Sequence, residues 1–167
     1  MRLVFIFRQL LHANIGICNA VHSNPAFRKT PTEQSLDFAC ARGFGVRSAN
    51  AADGPVMAHA PFLLAANSTH TDLHLARSNA IIAQGNGAKA VLAVSGPDAD
   101  ISPDWYGAAD QVSTSNKVAV HRQGELTPLP LEALDLHLNA LSDEFEARLA
   151  PKPIWKPAKM TASSWRE

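Results

Sequence analysis

Polar and apolar positions alternate through the middle of this chain and recur at helical spacing near its end. In Asp72–Arg77, Leu73 and Leu75 point one way and His74 and Ala76 the other, the period-two pattern of a half-buried strand. Ala90-Val91-Leu92-Ala93-Val94 is continuously apolar, as a central strand covered on both faces would be. Lys117–Arg122 alternates again, with Val118 and Val120 inward, and Gln123-Gly124 can turn the chain. Phe44–Ser48 and Val56–Ala65 read as two strands joined at Asn50–Gly54, where Asp53-Gly54 is a strong hairpin signal. Pro61 cannot donate to a ladder, so the returning strand belongs at an edge or carries a bulge.

Two helices frame these strands. Thr30-Pro31-Thr32-Glu33 is a helix opening: Thr30 can cap, Glu33 can reach back, and Pro31 loses nothing at the first position. Leu36, Ala39 and Cys40 share a side, and Gly43 can end this helix. Leu131, Leu134, Leu138, Leu141, Phe145 and Leu149 form the apolar stripe of a longer second helix. Between them, Ser78 or Asn79 can cap a short helix through Ile81 and Ile82, closed by Gly85-Asn86-Gly87. Pro151, Pro153 and Pro157 break regular structure after the second helix, in a segment where Trp155 has the character of an anchor. Several short strands, an early helix and a late one predict an α+β domain built on an antiparallel sheet or barrel.

Composition narrows the function classes. A length of 167 residues suits one domain with a true core. Fifteen basic residues balance fifteen acidic ones, so bulk charge gives direct DNA binding no support. Cys18 and Cys40 suggest neither a disulfide framework nor a metal cluster, and two reduced thiols in a cytoplasmic protein are the expectation. Met1–Phe7 is a short apolar run behind one arginine, interrupted at Arg8 and Gln9, too short and broken to span a membrane. Residues 1–21 are expected to be an extension outside the fold, with an export signal or an integral helix as alternatives. Residues 22–167 are expected to form the domain.

Three stretches carry candidate chemistry. Arg77-Ser78-Asn79 lies where a strand hands over to a helix start, with backbone donors, a guanidinium fork and a hydroxyl suited to a phosphate. An exposed arginine beside an ordinary cap is the plainer reading. Trp105 and Tyr106 can wall a planar ring or line an interface, or simply pack in the core. The histidines, His59, His74 and His121 among them, have no partners at metal-ligand spacing and read as structural. Ser95, Ser102 and Ser113 lack a nucleophile-elbow context, and Gly85-Asn86-Gly87 is a turn rather than a nucleotide fingerprint.

Taken in order, Leu73–Asn79, Ile101-Ser102-Pro103-Asp104-Trp105-Tyr106 and Ser113–His121 resemble the PaiB-type FMN-binding negative transcriptional regulators, from about Asn24 to about Met160. The resemblance implies an FMN-binding split β-barrel that forms a homodimer, with flavin at or near the subunit interface. It places Arg77, Ser78 and Asn79 on the phosphate, and His59, Trp105, Thr114 and Asn116 near the ring. The departures matter. Ala80 stands where proline is usual, Asp100 where tyrosine is usual, and Ser113, Ser115 and Lys117 where proline, tryptophan and tyrosine are usual. Loss of aromatics at Ser115 and Lys117 weakens the expected hold on FMN. Family chains also continue past the Lys152–Met160 region into a further helix and a closing strand, so a barrel strand is expected to be missing and a sheet edge left open. The alternatives to a flavin-binding regulator are an FMN-dependent oxidoreductase of the pyridoxamine-phosphate-oxidase type, or a cofactor-free dimerisation module. No residue is a convincing catalytic acid or base, and no membrane association is expected.

Overall fold

A computed structural model describes residues 4–11 and 29–160. Its strands are β1 (Val4–Leu11), β2 (Phe44–Ala51), β3 (Gly54–Pro61), β4 (Leu63–Leu64), β5 (His70–Ala76), β6 (Lys89–Ile101) and β7 (Thr114–Pro128). Its helices are α1 (Thr32–Arg42) and α2 (Ala133–Ala147). The strands form one sheet in the order β3-β2-β6-β7-β1-β5-β4, antiparallel at every junction.

The sheet curls into a half-barrel. Arg47 on β2 donates from Nη2 to Thr71 Oγ1 on β5 over 2.9 Å, although three strands lie between them. In a flat sheet four strand-steps would part these residues by about 19 Å, beyond the reach of any side chain. Parity fills the curl. Ala58, Arg47, Leu92 and Arg122 are successive cross-strand partners on the inner face. Phe7, Leu73, Leu75, Val94, Val120 and Leu126 complete that face, each at most 6% exposed. The fold class is therefore α+β, as expected.

The elements follow their local causes with instructive exceptions. Gly43 ends α1 in the left-handed region at φ 58°, with its N–H returned to Ala39 O. Pro31, rather than Thr30, occupies the cap position, and no side chain caps the helix. The β2–β3 hairpin turns at Ala52-Asp53, and Pro61 closes an edge strand as its missing donor requires. Gln123-Gly124 does not turn the chain: β7 runs on to Pro128 because Gly124 lets β1 come close. A Cβ there would run into the Leu10 carbonyl oxygen. The helix expected after Asn79 is only a three-residue 3-10 turn, Ile82–Gln84.

Most of the N-terminal extension lies outside the described residues, but residues 4–11 form β1 between β5 and β7. An edge of β7 that would otherwise lie open is thus paired. The physical reason is written in the apolar run itself. Ile6 and Phe7 point to opposite faces and are 2% and 3% exposed. A strand covered on both faces reads as a continuous apolar run, the same pattern that suggests a leader. No helix among the described residues is long and apolar enough to cross a membrane.

Candidate functional site

Beyond the curled sheet, β6 and β7 continue as a two-stranded arm. A register shift between Ser95 and Asp98 marks its base, and Asp98–Ile101 pair only with Thr114–Lys117. Pro103–Tyr106 make a 3-10 turn near the tip, opened by Asp104 N–H donating to Ser102 Oγ and closed by Gly107 at φ 66°. The arm displays apolar surface: Trp105 is 74% exposed, Tyr106 58% and Val112 82%. The core-packing reading of Trp105 and Tyr106 fails; among the described residues no second layer covers them. Val118, expected inward, is exposed for the same reason, while Val120, two residues nearer the core, is buried.

The arm carries three of the candidate residues together. Thr114 opposes Ile101, Asn116 opposes Ala99, and Trp105 follows within the same hairpin. It also explains two departures from the regulator pattern at once. Asp100 and Ser115 are cross-strand partners, and Ser115 Oγ donates to the Asp100 carboxylate. Where the pattern has an aromatic on each strand, this chain has a hydrogen-bonded polar pair. Lys117 opposes Asp98, a favourable cross-strand charge pair in place of the third aromatic.

The remaining candidates lie elsewhere. Arg77 and Ser78 are exposed at the end of β5, and Asn79 is half-buried. Asn79 Oδ1 accepts from the Ile81 N–H, so its side chain shapes the turn. With only a 3-10 turn beyond it, no helix dipole of useful length points at this corner. His59 is exposed on the outer face of edge strand β3, in the cross-strand row His59–Val46–Ala93–His121. In one copy the candidates therefore occupy three places: the arm, the β5 corner and the β3 edge.

Two features were not singled out in the sequence. His137 on α2 is 5% exposed and meets His74 at 3.2 Å between Nε2 and Nδ1, joining the helix to the outer face of β5. Burial, and then the neighbouring His74, push His137 down to about 4, while Asp72 opposes the shift. Burial also lowers His74. Nearby, Arg8 Nε and Nη2 donate to the two carboxylate oxygens of Asp72 at 2.9 Å each. The other missed feature is Arg47, 1% exposed inside the curl. A polar residue within an alternating strand is ordinarily assigned to the solvent face, and nothing local in Gly45–Ala49 marks it as inward.

Among known families, residues 21–167 match the one described as "Putative FMN-binding domain". The chain belongs to that family. No curated protein matches it. The family implies FMN, and the chemistry here fits the group in kind: Arg77 and Ser78 offer exposed donors for a phosphate, and the arm offers exposed aromatic and polar groups for a ring. Among the described residues, however, a single copy presents one aromatic wall without an opposing one.

Proposed function

We propose that this protein is an FMN-binding homodimer of the split-barrel type, acting as a negative transcriptional regulator of the PaiB kind. The observation that carries the reading is the family match across residues 21–167. The arm supports the dimer. Its aromatic tip projects from the sheet with no covering layer among the described residues, and an isolated two-stranded ribbon is marginal in water. In this reading the arm of one copy brings Trp105, Thr114 and Asn116 to the flavin ring, and Arg77, Ser78 and Asn79 hold the phosphate. His59 lies near the ring's edge. When bound, FMN would supply a flat, redox-active ring; the chain's own part is to anchor the phosphate and shield the ring from water. Control of transcription would run through flavin or a protein partner, because a net charge of zero gives no attraction to DNA.

The test is direct. Purified protein titrated with FMN should quench flavin fluorescence and co-elute with it, and light scattering should give twice the chain mass. Neither quenching nor co-elution would reject flavin binding. The polar Asp100–Ser115 pair favours a second reading, a dimerisation module that has given up its cofactor. A stable dimer indifferent to FMN is its signature.

A further inference from the structure

The inner face of the half-barrel carries two arginines, Arg47 buried and Arg122 half-buried, and among the described residues neither is in ion-pair contact with a carboxylate. Arg47 and Arg122 flank Leu92 in one cross-strand row on the inner face. Both reach toward the start of β5. Arg47 Nη2 donates to Thr71 Oγ1 at 2.9 Å, and Arg122 Nη2 donates to the Ser68 carbonyl at 3.0 Å. Two cations thus converge on the four residues Ser68–Thr71 and find only neutral acceptors there.

Arg47 is the sharper case. Its Nε and Nη1 are buried without a hydrogen-bond partner among the described residues. Orphaned donors on a charged group deep in a protein are costly. Burial pulls Arg47 down to about 9 against the opposing charge of Asp72, so the guanidinium stays protonated at neutral pH. Beside it, Gln9 is fully buried and is the cross-strand partner of Thr71. Gln9 Nε2 donates to the Ala90 carbonyl at 3.0 Å, while its Oε1 has no partner among the described residues. The adjacent inner row, Ala49–Ala90–Gly124, consists of two alanines and a glycine.

We propose that this inner cluster of Arg47, Arg122, Thr71 and Gln9 is a binding site for a small monovalent anion of chloride or nitrate size. The anion supplies the missing negative charge and accepts from Arg47 Nε or Nη1. Water alone can satisfy the donors but leaves the charge unbalanced. Gln9 Oε1, an acceptor, takes a water from the anion's own shell. The proposal is independent of flavin, whose candidate residues lie on the arm, the β5 corner and the outer face.

Thermal melts of the full chain at fixed ionic strength test it. Chloride, bromide and nitrate should raise the melting temperature in a saturable way relative to gluconate, which is too large to enter. Arg47→Met keeps the bulk and removes the charge, so its melting temperature should be the same in all four salts. Arg122→Gln should need more chloride for the same rise. Crystals of the unaltered protein soaked in bromide should show an anomalous peak within hydrogen-bonding distance of Arg47. That measurement decides the matter if Arg47→Met does not fold. Identical melts of the native protein in chloride and gluconate, or a bromide soak with no peak beside Arg47, would overturn the site.

Discussion

Individual positions in this protein are constrained by what stands opposite them. Gly124 is the clearest. Its place opposite Leu11, beside the Leu10 carbonyl, leaves no room for a methyl group. Gly124→Ala should cost about 3 kcal/mol, because backbone rather than a flexible side chain must give way; urea denaturation measures it. Trp105 is the opposite case. Exposed on one chain, it should be replaceable by alanine with stability changed by less than about 0.5 kcal/mol. The same Trp105→Ala change should weaken FMN by roughly tenfold if the ring stacks there, which a fluorescence titration reads. An unchanged FMN affinity would remove Trp105 from the site.

At the scale of elements, α2 is held to the sheet by chemistry that helical periodicity conceals. The leucine stripe is only partly covered: Leu134, Leu138, Leu141 and Phe145 on α2 are half-buried, and Leu131 and Leu149, just beyond its two ends, are 57% and 55% exposed. The one fully buried side chain of this helix is His137, against His74. Both histidines are held below their ordinary value by burial, His137 to about 4. The unfolded chain therefore takes up protons that the folded chain refuses as pH falls from about 6.5 toward 4. Stability should be full above that interval and decline through it. His137→Gln should flatten this part of the melting-temperature profile against pH; an unchanged slope would assign the acid sensitivity elsewhere. The stripe and the strand alternation were both legible, since periods of 3.6 and 2 are local. The histidine contact was not, because residues 63 positions apart meet only through the tertiary fold.

For the whole molecule, β1 is the decisive strand. It bridges β5 and β7, and with Arg8 on Asp72 and Gln9 on Ala90 it contributes to both faces. Removal of residues 1–11 would bare two long strand edges at once. The shortened chain should lose its cooperative melt and elute as large aggregates; an unchanged melt would show that the remaining strands suffice. What the sequence offered toward a candidate site was chemistry, in Arg77, Ser78, Trp105, Thr114 and Asn116. What it hid was their dispersal, because sheet order, unlike strand identity, is set by long-range pairing. At one rim of the sheet, β3 carries Pro55 near its start and Pro61 at its end, and β4 at the other rim is two residues long. Neither rim can recruit a neighbour into an endless ribbon. Along those two rims, ladder pairing with another chain is disfavoured by prolines on one side and by brevity on the other.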